Sequence, residues 1–194
     1  MFPLVMFQLT DTEQLLLLRT AREAVQAYLL RQEMVIPEVP PGVLTEPHGI
    51  FVSLHKHGEL RGCIGNIHPA ESLVRTTTEC AIAAAVGDPR FMPLTLGELP
   101  DVEFEISVLS LMEPVRDVSK IEVGKHGLLI SRNRSRGLLL PQVATTYGWD
   151  RERFLDETCR KAGLRAGDWK QGAEIHCFSA LVFGEKELRL LPAS

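Results

Sequence analysis

The chain has 194 residues, of which 45% are hydrophobic and 24% are charged, and its formal net charge is −4. A chain of this size and composition is typical of one globular domain, or of two lobes packed closely together. The acidic balance disfavours nucleic-acid partners. The apolar run at 15–18 is soon followed by charges, which excludes a membrane span and a signal segment. We therefore expect a cytoplasmic protein without a membrane partner.

An N-terminal helix is predicted over 11–32, because apolar residues recur at helical spacing on one face. Thr10 and Glu13 have the spacing of a capping box at its start. The segment 37–47 carries four prolines, so the helix ends in a loop.

The next elements predict a first ββαβ unit, at about 48–110. Two alternating segments flank a turn at His57–Gly58 and form a hairpin. A helix follows from about Pro69 to Val86, and a third strand covers 101–109.

A second ββαβ unit is predicted at about 126–185. The segment "HGLLIS" at 126–131 echoes "HGIFVS" at 48–53, and "GLLLPQV" supplies the second strand. Asp150 suits the N-cap of the following helix, and one strand over 173–183 closes the unit. The order indicates an α+β fold with two lobes, antiparallel sheets with packed helices, and an internal duplication of the ββαβ unit.

The segment "GELRGCIGN" at 58–66 concentrates residues that can carry chemistry. Cys63 is a candidate nucleophile, and Arg61, two residues earlier on the strand, is positioned to favour its thiolate. Gly62 and Gly65 lack side chains, which leaves room for a substrate or another backbone to approach the sulfur. The other cysteines form no Cys-x-x-Cys pair, and Cys80 and Cys159 fall on apolar helical stripes typical of core residues.

As a nucleophile, Cys63 could use His55 or His57 as its base. Three alternatives remain open. His55, His57, Cys63 and His68 could instead ligate zinc, although the spacing matches no zinc signature. Arg61 and the backbone amides could bind a small anion that Cys63 only lines. Finally, the glycines could form a β-bulge or allow a helix to pack close, with the cysteine buried.

The segment "LRGCIG" at 60–65 resembles the hallmark of the AMMECR-one domain family, whose bacterial and archaeal members are called AmmeMemoRadiSam system protein A. Further blocks resemble the family in its own order across nearly the whole chain: "DPRF" at 88–91, "EFEISVLS" at 103–110, "GLLLPQVA" at 137–144, "GWDRERFL" at 148–155 and "CRKAGL" at 159–164. On these segments the whole chain, 1–194, is identified as a single AMMECR-one-like domain.

The resemblance implies a two-lobed fold with the hallmark motif near a cleft. It also implies two partners, a Memo-like protein and a radical S-adenosylmethionine enzyme, but no particular reaction. Because the shared motif does not include the neighbouring histidines, the resemblance favours neither a metal nor a cofactor.

Three residues outside the motif are further candidates for substrate binding. Arg90 follows the helix stop at Gly87 and could turn towards the motif. Glu103 shares a strand face with Glu105, and paired carboxylates can perform acid–base work, although alternating charges also suit a solvated face. His126 opens the second unit where His48 opens the first, with a turn as its alternative role.

The sequence therefore supports two hypotheses. The first is a cytosolic cysteine-dependent enzyme or acceptor protein, in which Cys63 is a nucleophile or redox thiol and Arg61 stabilises the thiolate or binds a small anion. The second is a non-catalytic binding or adaptor module that recognises a metabolite or a partner segment in a cleft.

Overall fold

A computed structural model of the protein describes residues 8–188. Two units are distinguished in it: the N-terminal unit contains 8–109 and 181–188, and the C-terminal unit contains 110–180. The described helices are α1 (Asp11–Leu29), α2 (Leu73–Val86), α3 (Pro141–Thr146) and α4 (Arg151–Lys161), and the strands are β1 (Ile50–Lys56), β2 (Glu59–Asn66), β3 (Val102–Leu109), β4 (Glu113–Pro114), β5 (Gly127–Arg132), β6 (Ser135–Leu139), β7 (Glu174–Phe178) and β8 (Ala180–Gly184).

The N-terminal unit is a four-stranded sheet with the order β2-β1-β3-β8, against which α2 packs beside α1. Alternate residues of β1 point to opposite faces of the sheet. Ile50, Val52 and Leu54 are fully buried and the residues between them are half-buried, so the face with these three residues is the one that packs in the core. Helix α1 begins where the sequence predicts, at a capping box formed by Thr10 and Glu13. One face of this sheet therefore forms the core, and its other face carries polar side chains.

The β1–β2 hairpin contains a turn and a bulge that together set its register. His57 and Gly58 both have positive φ angles, of 53° and 82°, as a two-residue type I′ turn requires. Beyond the turn His55 pairs with Leu60 but Leu54 pairs with Gly62, so Arg61 is an extra residue without an opposite partner. The bulge shifts the register by one residue, which decides the face on which each later side chain of β2 lies.

The C-terminal unit has its own four-stranded sheet, with the order β4-β7-β5-β6. Its core lies between one face of that sheet and helix α4, and includes Leu128, Ile130, Phe154 and Leu155. Gly137 permits the close packing, because a Cβ atom there would lie 2.3 Å from the backbone nitrogen of Ala162.

Several predicted boundaries are wrong for identifiable reasons. Helix α1 ends at Leu29 rather than at 32, and α2 begins at Leu73 because the Ser72 side chain caps the Arg75 N–H. In "GLLLPQV" only the first part is strand, since Pro141 occupies the first position of α3. The predicted N-cap of α4 at Asp150 is confirmed.

The single strand predicted over 173–183 is also wrong. The chain breaks at Ser179 into β7, which pairs with β5, and β8, which pairs with β3 in the sheet of the N-terminal unit. Ser179 and Ser110 hold the break, because the Ser110 N–H donates to the Ser179 carbonyl at 2.9 Å and the Ser179 N–H donates to the Ser110 hydroxyl at 2.9 Å.

The predicted α+β class, with antiparallel sheets and packed helices, is confirmed. Each unit contains a hairpin whose first strand lies between its partner and the strand that follows the helix, in the orders β2-β1-β3 and β6-β5-β7. The duplication itself stays a prediction, as does the assignment of 1–194 to one domain. Among the described residues, no helix combines the length and apolar character needed to cross a bilayer.

Candidate functional site

Cys63 lies on the polar face of the N-terminal sheet, in the edge strand β2. Because of the bulge it is opposite Ser53 on β1, and the Ser53 hydroxyl donates a hydrogen bond to the Cys63 Sγ at 3.2 Å. Cys63 is half-buried, and the Ser53 hydroxyl fixes the position of its sulfur.

The backbone of Cys63 is also held, from the outer side of the edge strand. Its N–H donates to the Asp88 Oδ2 at 2.9 Å, and its carbonyl accepts from the Arg90 Nη2 at 3.3 Å. The Asp88–Arg90 pair therefore binds the backbone N–H and carbonyl of Cys63, the groups that an additional strand at this edge of the sheet would otherwise bind.

Asp88 and Arg90 form a two-bond ion pair next to the thiol. Asp88 is buried, and its Oδ1 and Oδ2 accept from the Arg90 Nε at 2.9 Å and the Arg90 Nη2 at 2.6 Å. These bonds hold the pKa of Asp88 well below its usual range. The pKa of Arg90 is raised, chiefly by the hydrogen bond to Asp88 and in smaller part by a charge at Cys63.

A row of three polar side chains crosses the sheet at Cys63. Ser53 is opposite Cys63 on one side and opposite Glu105 of β3 on the other, so all three point to the same face. Glu105 is half-buried, and burial raises its pKa. His55 lies two residues further along β1 on the same face, and its charge is the next largest influence on Glu105.

Arg61 does not bond to the thiol. Its Nε donates to the Glu98 Oε1 and its Nη2 donates to the Glu98 Oε2, both at 3.2 Å. The Lys56 ammonium lies 3.4 Å from the same carboxylate. The bonds from Arg61 lower the pKa of Glu98 to about 2. A role for Arg61 at the thiolate stays a prediction, and the contacts of Arg61 do not support it.

The space beside the two glycines is filled by the protein itself. A Cβ atom at Gly62 would lie 2.2 Å from the Ala84 carbonyl oxygen of α2, and one at Gly65 would lie 2.3 Å from the Phe51 ring. At Gly62 the missing side chain therefore permits close packing of α2, one of the alternatives that the sequence leaves open, and at Gly65 it makes room for the Phe51 ring. Substrate contact with their backbones stays a prediction.

The other two candidate substrate residues are occupied elsewhere. Glu103 is bridged by the Lys186 ammonium at 2.8 Å. His126 is buried in the C-terminal unit, where its Nδ1 accepts the Glu122 N–H at 3.1 Å and closes a turn. Burial lowers the pKa of His126, which favours the neutral imidazole that this bond needs. Substrate binding by either residue stays a prediction.

The histidines of the zinc alternative do not form a ligand cluster. His57 lies in the hairpin turn, and among residues 8–188 no three His, Cys, Asp or Glu side chains are arranged to hold a metal ion. A pocket of about 700 Å³ does lie beside the C-terminal end of α1, lined by Tyr28, Leu29, Val86 and Pro93 among others. Cys63 does not line it.

Ser53 is not among the site residues that the sequence predicts, and Glu105 enters the prediction only as the partner of Glu103 in a carboxylate pair. Both occupy polar positions of alternating strands, which more often indicate a solvated face. Only the pairing of β1 with both β2 and β3, and the bulge at Arg61, place them in line with Cys63.

The chain is similar to known proteins over most of its length. A model of the family described as AMMECR1 matches residues 18–183, so the predicted resemblance is confirmed and the chain belongs to the AMMECR1 family. A protein of Thermofilum pendens is 44% identical over 93% of both chains, and Protein MK0488 of Methanopyrus kandleri is 42% identical over 93% of this chain and 92% of its own.

The fold is similar to a solved structure as well. The crystal structure of uncharacterized protein PH0010 from Pyrococcus horikoshii superposes with a TM-score of 0.88 at 39% sequence identity. The match covers 96% of this chain and 97% of that one, so it extends over both units.

Proposed function

We propose that the protein acts through Cys63 as a nucleophilic or redox thiol, either as an enzyme or as an acceptor of a covalent modification. The observation that carries this proposal is that Cys63 is fixed at three points, its sulfur by Ser53, its N–H by Asp88 and its carbonyl by Arg90. A sulfur held in one orientation at a half-buried position suits reaction with a bound partner.

The remaining cysteines provide the contrast within the same chain. Cys80, Cys159 and Cys177 are buried, and all four cysteines lie in the described part of the chain. Burial raises the pKa of Cys80 to about 11 and also raises the pKa values of Cys159 and Cys177. These three thiols are suited to packing rather than to reaction.

Arg90 supports a small anion as the substrate class. Its side chain is 54% exposed, and among the described residues its Nη1 donates no hydrogen bond while Nε and Nη2 hold Asp88 and Cys63. A carboxylate or phosphate oxygen bound at Nη1 would lie beside the residue whose sulfur reacts. The partners in this proposal are the Memo-like protein and the radical S-adenosylmethionine enzyme that the family resemblance implies.

A second candidate is a non-catalytic binding or adaptor module. It is favoured because other charged residues of this sheet are already paired within the protein: Arg61 forms an ion pair with Glu98, and Glu103 forms one with Lys186. In such a module Arg90 would hold an anionic ligand and Cys63 would only line the site.

Competitive alkylation separates the two candidates. The folded protein is treated at pH 7 with a limiting amount of iodoacetamide, and the label on each cysteine is counted by mass spectrometry, with Cys63→Ser as the control for assignment. The reactive-thiol proposal predicts that Cys63 takes the label at least about tenfold faster than N-acetylcysteine in the same solution. A rate equal to that of N-acetylcysteine would contradict the reactive-thiol proposal and favour the binding module.

A further inference from the structure

The pocket at the C-terminal end of α1 has the size and the lining of a small-molecule site. Its volume of about 700 Å³ is within the range of pockets that hold organic ligands. Most of its lining is apolar or aromatic, contributed by Tyr28, Leu29, Val86, Pro93 and Leu94. The polar part consists of Arg31 and Gln32, so Arg31 is the one charged side chain among the described residues that line the pocket.

We propose that this pocket binds a small apolar carboxylate, a molecule with an apolar body and one negative charge, and that Arg31 binds the carboxylate group. The composition of the lining sets this ligand class, because one cation among apolar side chains matches one anionic group on an apolar body. The site goes beyond the proposed function and does not depend on it, since Cys63 does not line the pocket.

Arg31 has a backbone conformation that usually requires glycine. It follows the Leu30 C-cap of α1 and has a φ angle of 55°. Its N–H donates to the Tyr28 carbonyl at 3.1 Å. The next N–H, of Gln32, donates to the Ala27 carbonyl at 2.9 Å, which completes a Schellman motif. Glycine is the usual residue at this position because a Cβ atom is disfavoured at positive φ, so the fold accepts a backbone cost at a residue that lines the pocket.

The Arg31 guanidinium is available to a ligand. Its side chain is exposed and forms no hydrogen bond or ion pair with any residue in 8–188. By contrast, Arg22 and Arg61 of the same unit are each paired with a carboxylate of the protein. Tyr28, in the same lining, is 52% exposed. A bound apolar carboxylate would pair with the guanidinium and cover the apolar surface beside it.

The test is an NMR titration of the ¹⁵N-labelled full chain with 2-naphthoate, which has an apolar body and one carboxylate. We expect saturable shifts of the amide signals of Gln32, Val86 and Leu94, which locate the ligand in the pocket. 2-Naphthamide has the same body without the charge, and it should bind at least about tenfold more weakly.

Arg31→Gly removes the guanidinium at a position where glycine suits the backbone. The variant should therefore have a melting temperature equal to or above that of wild type, so a loss of binding would not reflect a loss of fold. It should bind 2-naphthoate at least about tenfold more weakly and 2-naphthamide as wild type does. Arg31→Lys keeps the charge, and it should bind 2-naphthoate more tightly than Arg31→Gly does.

Arg19→Gln is the matched control, because it removes a positive charge from an exposed position of the same helix that does not line the pocket. It should leave both affinities unchanged. An absence of saturable shifts at the three amides, equal affinities for the two probes, or a 2-naphthoate affinity that Arg31→Gly does not change would each overturn the site.

Shifts confined to the surroundings of Cys63 and Arg90 would also overturn it, because they would place the anion at the other site. Failure here is distinguishable from failure of the proposed function, which is decided by the alkylation rate of Cys63.

Discussion

The Asp88 carboxylate accepts the backbone N–H of Cys63 at 2.9 Å, linking the residue after the cap of α2 to the edge strand of the sheet. Four hydrogen bonds converge on this buried carboxylate, three of them from Arg90. The position of the thiol therefore depends on a residue 25 positions away in the sequence.

Asp88→Ala should lower the free energy of unfolding by about 2 to 3 kcal/mol, because it leaves the Cys63 N–H without an acceptor and removes charge-assisted bonds. Urea denaturation measures the change. Asp101→Ala, at an exposed aspartate of the same unit, should change the value by less than about 0.5 kcal/mol. Equal effects of the two substitutions would contradict this role of Asp88.

The contribution of Asp88 should also depend on pH. Its pKa is lowered in the folded protein, so the stabilisation is complete well above the unfolded value of about 3.9 and is lost as the pH falls towards the folded value. The difference in unfolding free energy between wild type and Asp88→Asn should therefore shrink between about pH 5 and pH 3. A difference independent of pH would show that the charge of Asp88 contributes nothing.

Gly62→Ala should destabilise the N-terminal unit by about 1 to 3 kcal/mol, since the new methyl group would meet the backbone of α2 at Ala84. Thermal unfolding followed by circular dichroism measures the loss. Gly97→Ala is the control, because a Cβ atom there meets nothing within 4 Å, and its melting temperature should match wild type. A tolerated Gly62→Ala would mean that α2 is free to move away from β2.

The two arginines near the motif should differ in their effect on Cys63. Arg90 donates to the Cys63 carbonyl, next to the sulfur-bearing side chain, whereas Arg61 is held by Glu98. Arg90→Gln should slow alkylation of Cys63 at pH 7 by about threefold to tenfold, and Arg61→Gln by less than about twofold. The reverse order would restore Arg61 as the cation that stabilises the thiolate.

Glu185→Ala should be among the most damaging single substitutions in the N-terminal unit. The buried carboxylate accepts two bonds from Arg22 and one from the Phe104 N–H, so its loss leaves a half-buried guanidinium without its counterion. We expect a loss of about 3 to 5 kcal/mol in the free energy of unfolding.

An exposed ion pair provides the control for the effect of Glu185→Ala on the free energy of unfolding. Glu71 pairs with Arg75 at 3.5 Å with both side chains at least half exposed, and Glu71→Ala should cost less than about 0.5 kcal/mol. A loss at Glu185 no larger than the loss at Glu71 would show that the Arg22 pair is not a fixed part of the fold.

Much of the N-terminal unit is predictable from the sequence because local signals agree there. The capping box at Thr10, the His57–Gly58 turn and the alternation of β1 each follow from one short segment. The single strand predicted over 173–183 is wrong because a continuous apolar segment does not reveal a change of sheet, which depends on distant partners.

The candidate site shows where local reasoning ends. An unbroken hairpin from the His57–Gly58 turn would place Gly62, not Cys63, opposite Ser53. The bulge at Arg61 shifts this register and brings Cys63 to the polar face, in line with Ser53 and Glu105. Alternation across 58–66 does not predict that shift, because residues two apart on a regular strand, such as Arg61 and Cys63, share a face.

The reactivity of the Cys63 sulfur is the central claim, and its alkylation rate at pH 7 tests it most directly. The rate constant for iodoacetamide at Cys63 is measured by mass spectrometry on the folded protein, beside N-acetylcysteine and the same protein unfolded in urea. A fixed, reactive thiol predicts a rate at least about tenfold above both references. A folded-state rate at or below that of the unfolded chain would contradict it.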